Sequence, residues 1–262
     1  MANRSTQRRF WQEPPQIEEY RASGGISGGL LLPHSRISMA EQSYYVTNPE
    51  ATHKIPSYSL EYRFVKRAFD IVFSLVVIIA GLIPSLILAA IIMIDSPGAP
   101  IFRQRRIGQH GRETSVLKFR TMHRDAHTCP EKYFTPEQLE TWSREQKVDN
   151  DPRITRVGGF LRKTSLDELP QFINVFLGSM SVVGCRPVTY EETLNFGSNR
   201  DLFLALRPGI TGWWQVTERN DATWENGRRQ EIELYYPHNA SARFDLSIIG
   251  RTIVAMLTKT GK

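Results

Sequence analysis

The sequence predicts an α+β fold, predominantly α-helical: a compact cytosolic domain with a short β hairpin and an N-terminal re-entrant membrane helix. Three observations carry this. Residues 71–94 form an uncharged apolar run closed by Asp70 and Asp95, which is long enough for a membrane helix. Residues 101–119 carry Gly108 and Gly111 between two extended stretches, the pattern of a hairpin. Downstream, Leu169, Phe172, Ile173, Phe176 and Leu177 recur at helical spacing, as do the apolar residues of 245–257. A chain of 262 residues can bury a sizeable core. Its net charge of +6 points to an anionic partner such as phospholipid, nucleotide or polyphosphate. Two cysteines, Cys129 and Cys185, are too few for a disulfide framework and suit a reducing compartment.

Residues 1–60 carry scattered proline, the pairs Gly24-Gly25 and Gly28-Gly29, and mixed charge without a sustained period, and read as a mobile tail. Residues 61–262 read as one domain that includes a membrane helix over 66–95. Between Glu61 and Asp70 the chain is amphipathic, with Phe64, Arg67 and Phe69 suited to a membrane interface. Basic residues flank the apolar run on both sides: Lys54, Arg63, Lys66 and Arg67 before it, Arg103, Arg105, Arg106 and Arg112 after it. The positive-inside bias therefore assigns both ends to one compartment. A simple span cannot satisfy that; a helix that enters, breaks at Pro84 and returns can.

Ser96-Pro97-Gly98-Ala99-Pro100 is a turn leading into the hairpin, with Ser115–Phe119 as its second strand. Residues 124–150 are polar and helix-like, with a start near Pro136. A short helix is expected from about Leu166 to Leu177, ended by Gly178, followed by a loop-rich stretch to Gly212. Helical segments around Trp224–Tyr236 and Asp245–Leu257 complete the chain.

Three clusters can carry chemistry. In Arg162-Lys163-Thr164-Ser165-Leu166-Asp167-Glu168, Ser165 with Glu168 has the spacing of a capping box. The adjacent carboxylates equally suit a phosphate and a metal: one carboxylate can attack phosphorus and another can hold a divalent cation. Spacing alone does not choose. In Val183-Gly184-Cys185-Arg186-Pro187, Arg186 offers a planar fork to phosphate oxygens, against the plainer reading of a solvated loop charge. Cys185 has no adjacent histidine and reads as a small packed residue. In Arg207-Pro208-Gly209-Ile210-Thr211-Gly212-Trp213-Trp214, the glycines allow close backbone approach to a ligand, so Arg207, Gly209 and Thr211 are candidate substrate contacts; the alternative is a turn between packed segments. Lys118-Phe119-Arg120-Thr121-Met122 reads as a turn or a lipid-headgroup contact. Phosphate-binding loops of the Walker type, GxGxxG and zinc spacings are absent, and no nucleic-acid fold signature accompanies the positive charge.

Taken together, KRAFDIV (66–72), DSPGAPIFRQRRIG (95–108), KFRTM (118–122), DPRITRVGGFLRKTSLDELPQFINVFLGSMSVVGCRP (151–187) and RPGITGWWQV (207–216) resemble the monotopic phosphoglycosyl transferases, bacterial sugar transferases that begin exopolysaccharide synthesis. The resemblance is to the galactosyl-phosphate type. It implies an enzyme at the cytoplasmic face of the bacterial inner membrane that moves a sugar 1-phosphate from a UDP-sugar to polyprenyl (undecaprenyl) phosphate and releases UMP. By that resemblance Asp167 is the nucleophile, Glu168 a Mg²⁺ ligand, Arg162 and Arg186 phosphate contacts, and Pro84 the helix break. Two residues depart from the family pattern: Ile83 stands where a serine often precedes the proline, and Cys185 replaces the first proline of Pro-Arg-Pro. A membrane-anchored interaction protein and a Mg²⁺-dependent UDP-sugar hydrolase are the competing readings. The choice of sugar and the question of a homo-oligomer are not legible in the residues.

Overall fold

In the computed structural model the first helix is α1 (Leu60–Asp95), a single helix of 36 residues. The structure describes residues 55–126, 128–145, 148–217, 224 and 227–258; the tail assigned to residues 1–60 lies outside them up to residue 54. Ser59 caps α1 by accepting the Tyr62 N–H at 3.1 Å, and Ser96 closes it. At ~1.5 Å per residue, α1 is roughly 54 Å long, well beyond the ~30 Å of bilayer hydrocarbon. Pro84 lies inside the helix, and the backbone is helical on both sides of it. A proline there removes one backbone donor and crowds the carbonyl of Ala80, which bends a helix without dividing it.

Both ends of α1 dock on the same domain. Near its start, Tyr62, Asp70 and Ser74 are buried on one face, the spacing of four that aligns residues on an α-helix. Asp70 Oδ1 accepts Ser181 Oγ at 3.0 Å and the Val182 N–H at 2.9 Å. Lys66 Nζ donates to Val183 O at 2.9 Å and to Asp245 Oδ2 at 2.9 Å. Near its end, Leu88, Ala89 and Ile92 pack with Phe119, Leu161, Leu166 and Leu169. Between these contacts Leu75, Val76, Ile79, Leu82, Ile83, Leu86 and Ile87 are exposed.

The predicted hairpin is present. β1 (Ile101–Ile107) and β2 (Glu113–Phe119) pair antiparallel, with Arg106 opposite Thr114 and Phe102 opposite Lys118. Gly111, at φ 76°, lets the tip turn, and the tip is held by His110 N–H donating to Leu204 O at 2.8 Å. Helix α2 (Pro136–Glu145) begins at the predicted proline. After it come α3 (Arg156–Thr164), a 3₁₀ turn (Leu166–Glu168) and α4 (Gln171–Leu177), which Gly178 ends at φ 90°.

Three expectations are corrected here. The helix expected from about Leu166 is divided into the 3₁₀ turn and α4, which starts only at Gln171. The stretch from Gly178 to Gly212 is not merely loop: it holds β3 (Ser181–Val183), α5 (Tyr190–Leu194), α6 (Arg200–Phe203) and β4 (Gly209–Thr211). β3 and β4 pair in parallel, Ser181 with Gly209 and Val183 with Thr211. Each is too short to show a period of two in sequence. The helix expected from Trp224 begins instead at Arg228, as α8 (Arg228–Asn239), after α7 (Trp213–Thr217). The last helix, α9 (Ala242–Leu257), agrees with its prediction. The core joins Val116 of β2, Val175 of α4, Val183, Val188, Leu202, Tyr236 and Ile248.

Candidate active site

The Asp167–Glu168 pair is positioned by α3 and by the end of α1. Thr155 caps α3, accepting the Gly158 N–H at 2.9 Å. Gly158 lies flat against the backbone of Thr121, where a Cβ would stand 1.9 Å from Thr121 O. That close approach lets Arg162, one turn further on, donate from Nε to Thr121 Oγ1 at 2.9 Å. Ser165 then adopts a left-handed conformation (φ 56°, ψ 16°) and terminates α3. Its side chain makes no cap bond, so the capping box anticipated at Ser165 and Glu168 does not form. The chain reverses at this residue, and the backbone carbonyl of Ser165, not its hydroxyl, receives the Glu168 N–H at 3.2 Å. The capping box among the described residues is formed instead by Thr189 and Glu192 on α5.

The 3₁₀ turn sets Asp167 and Glu168 between Leu166 and Leu169, which anchor it in the cluster with Ile92 of α1. Glu168 Oε1 receives Lys118 Nζ at 3.3 Å. In the sequence Lys118 reads only as part of a turn or a lipid-headgroup contact; the strand register instead places it in β2 opposite Phe102, on the face that Val116 shares. Asp167 is partly buried. Burial and the neighbouring Glu168 push its carboxyl above the usual range, while Lys118 and Arg162 pull the other way and only partly compensate. Behind Arg162, Asp151 is gripped by Arg153 through Nε at 2.9 Å and Nη2 at 2.6 Å, and that guanidinium lies over the rings of Phe134 and Trp142.

The structure therefore brings together Asp167, Glu168, Arg162 and Lys118. The remaining candidates lie in other groups. Arg186 follows β3 and stacks over Trp214 at 5.2 Å, near Arg229 and Arg106. Arg207 stands near Arg67 and Arg63 at the start of α1, with burial and those two charges depressing its pKa. Gly209 does permit a close approach, and the partner is the backbone of Gly184: a Cβ on Gly209 would meet Gly184 N at 2.1 Å. Thr211 is buried, its hydroxyl 2.8 Å from that of Thr252. Cys185 is buried, as its packed reading required, and burial raises its thiol well above the ordinary range.

A family model described as bacterial sugar transferase matches residues 61–259 of the chain. The chain belongs to the bacterial sugar transferase family. This sugar transferase is 41% identical over 201 residues to the UDP-galactose-lipid carrier transferase of Erwinia amylovora, covering 76% of this chain and 42% of that protein. It is 37% identical over 198 residues to the exopolysaccharide production protein ExoY of Sinorhizobium fredii, covering 75% and 87%. To the UDP-glucose:undecaprenyl-phosphate glucose-1-phosphate transferase of Escherichia coli it is 36% identical over 197 residues, covering 73% and 40%. The sugar transferase thus spans less than half of the Erwinia and Escherichia proteins and most of ExoY.

Proposed function

We propose that this sugar transferase moves a hexose 1-phosphate, galactose favoured, from a UDP-sugar to undecaprenyl phosphate, as the first membrane step of exopolysaccharide synthesis. The observation that carries the reading is the Asp167–Glu168 turn, two adjacent carboxylates flanked by Lys118 and Arg162 and seated beneath the end of an apolar helix. The relatives named above are a UDP-galactose-lipid carrier transferase and a UDP-glucose:undecaprenyl-phosphate glucose-1-phosphate transferase, which supports galactose or glucose donors and an undecaprenyl phosphate acceptor.

Asp167 attacks the β-phosphorus of the donor. A bond forms between its carboxylate oxygen and phosphorus, the phosphoanhydride bond breaks, and UMP leaves with the bridging oxygen. The phosphate of the lipid then attacks the same phosphorus, forming the diphosphate linkage and returning the Asp167 carboxylate. Splitting the transfer means that donor and lipid need not occupy the site together. A carboxyl held above the ordinary range is a more basic, and so stronger, nucleophile than an exposed aspartate. Arg162 and Lys118 offset the charge of the donor phosphates.

Mg²⁺ fits this pair. Among the described residues no three His, Cys, Asp or Glu side chains converge as a metal cage. Mg²⁺ ordinarily takes only one or two carboxylates together with substrate phosphates and water. Lys118 and Arg162 only partly offset the repulsion between Asp167 and Glu168, and a divalent cation would relieve the remainder. Glu168, with Asp167 beside it, would hold the ion, which supplies charge neutralisation at the phosphate oxygens.

The membrane reading rests on α1. A water-exposed domain occupies one side of a bilayer, and it engages α1 near Asp70 and again near Ile92. The exposed apolar stretch between these contacts then enters the lipid and returns, with Pro84 at the bend. The catalytic face is thereby held at headgroup depth on the cytoplasmic side of the inner membrane.

The test is UMP release from a panel of UDP-sugars, with and without undecaprenyl phosphate and Mg²⁺. UDP-galactose with both additions is expected to give the fastest release. Release to water that is indifferent to the lipid identifies a hydrolase and overturns the transferase reading.

A further inference from the structure

Glu233 lies on α8 one turn after Arg229, and it is 2% exposed. It holds the Arg186 loop from beneath: Oε2 accepts the Arg186 N–H at 3.4 Å, and its main-chain carbonyl accepts the Cys185 thiol at 3.4 Å. Oε1 has no hydrogen-bond partner among the described residues. Nearby, the guanidiniums of Arg186 and Arg229 sit over the Trp214 ring at 5.2 and 4.4 Å, and Arg229 also covers Trp224 at 4.1 Å. Glu192 of α5 reaches Arg229 Nη2 at 3.8 Å, and Arg106 of β1 adds a third positive charge.

Arginines fixed on aromatic rings cannot leave one another, so their repulsion must be met by an anion. Within the protein that negative charge comes from Glu233, beside both arginines, and from Glu192, which reaches Arg229. A phosphate-bearing ligand brings more charge than Glu233 does and reaches the same guanidiniums.

We propose that Glu233 is the positioning residue of an anion site formed by Arg186 and Arg229: it fixes the Arg186 loop through the backbone N–H, countercharges the two arginines until the donor diphosphate arrives, and then takes a proton from solvent. This rests on the reading that Arg186 binds the donor. The charged groups that face Glu233 are Arg229 on its own helix, Arg186 on the loop after β3 and Glu192 on α5; the Cys185 thiol is its other titratable neighbour. Burial, only partly opposed by the two arginines, pushes the Glu233 carboxyl up to about 7. A diphosphate placed beside it raises it further, because like charges disfavour ionisation. Linkage then requires donor affinity to rise as pH falls through neutrality. The diphosphate of a UDP-sugar has no group of its own that titrates in that range.

The experiment is calorimetric titration of the full chain in lipid nanodiscs with UDP-galactose, between pH 6 and 8.5, in two buffers of different ionisation heat. The Asp167→Asn background halts chemistry and removes that titrating carboxyl. Uptake approaching one proton per donor is expected near pH 8, with affinity falling up to ~tenfold per pH unit above 7. Glu233→Gln should abolish the uptake and flatten the affinity. Uptake retained in Glu233→Gln overturns the proposal. Should that variant fail to fold, the parent decides: uptake with a midpoint near 7 supports the proposal, and none between pH 6 and 8.5 overturns it. An Arg186→Ala variant separates the two ideas. If it loses donor affinity while the parent shows no uptake, only the role of Glu233 falls. If it binds donor as the parent does, the Arg186 reading falls and takes this inference with it.

Discussion

Gly158→Ala pits helix propensity against packing, and the structure decides which wins. Alanine in a helix interior is favoured over glycine by about 1 kcal/mol. At Gly158, however, the new methyl would lie 1.9 Å from Thr121 O, 2.6 Å from Thr121 C and 2.7 Å from its Cα, all backbone atoms. Reaching an ordinary contact needs α3 and the Thr121 segment to separate by more than ~1 Å, and overpacking of that kind costs roughly 1–3 kcal/mol. The net expectation is a loss of up to roughly 2 kcal/mol once propensity is subtracted. Activity should suffer more. Arg162, one turn along α3, is held to Thr121 Oγ1 at 2.9 Å and stands beside Asp167. Misplacing a positioning group by ~1 Å can cost ~10²-fold in turnover. Gly159→Ala is the internal control, because a Cβ there meets nothing within 4 Å. It should gain up to about 1 kcal/mol by propensity and keep full turnover. The assay is thermal unfolding in nanodiscs beside UMP release for both variants. If the two alanines behave alike in stability and turnover, the packing argument for Arg162 is wrong.

Other expectations follow from the same geometry. Asp167→Asn should abolish labelling of the protein by donor carrying ³²P at the β-phosphate, and normal label with normal turnover would exclude Asp167 as nucleophile. Lys118→Met removes a charge that lowers the Asp167 pKa, so the acid limb of labelling should move to higher pH; a limb that stays or moves lower contradicts the contact. Asp245→Ala leaves Lys66 buried without its counter-ion, and breaking such a pair costs about 3–5 kcal/mol, read as a lowered unfolding midpoint. Accessibility tags placed before Lys66 and after residue 258 should report the same side of the membrane, and opposite sides would refute re-entry at Pro84.

Local signals were legible where the physics is local. The hairpin followed from Gly108 and Gly111, the start of α2 from Pro136 and the end of α4 from Gly178, because turn and cap chemistry act over a few residues. Ser165 shows the limit of that reasoning. Its spacing to Glu168 fits a cap, yet it ends α3 in a left-handed conformation, and its carbonyl rather than its hydroxyl opens the 3₁₀ turn that follows, a geometry that a motif of four residues does not contain. β3 and β4 were hidden for a different reason. Each has three residues, and their pairing depends on Gly184 and Gly209 meeting backbone to backbone across a long excursion of chain.

The sequence by itself determined that this protein carries a span-length apolar helix with basic flanks, a hairpin, and an adjacent carboxylate pair within ordered motifs of a sugar transferase. All but the last are composition, period and spacing, the last is a resemblance of motifs, and they persist whatever the chain does at long range. Only the tertiary structure decided which charges share a site. It placed Lys118 against Glu168, gathered Arg186 with Arg229 and Glu233, packed Gly209 against Gly184, and set the Thr211 hydroxyl against Thr252 of α9. It also docked both ends of α1 on one domain. Charge pairing depends on distance in space, and burial depends on every element packed around a group. Neither is a property of neighbours along the chain.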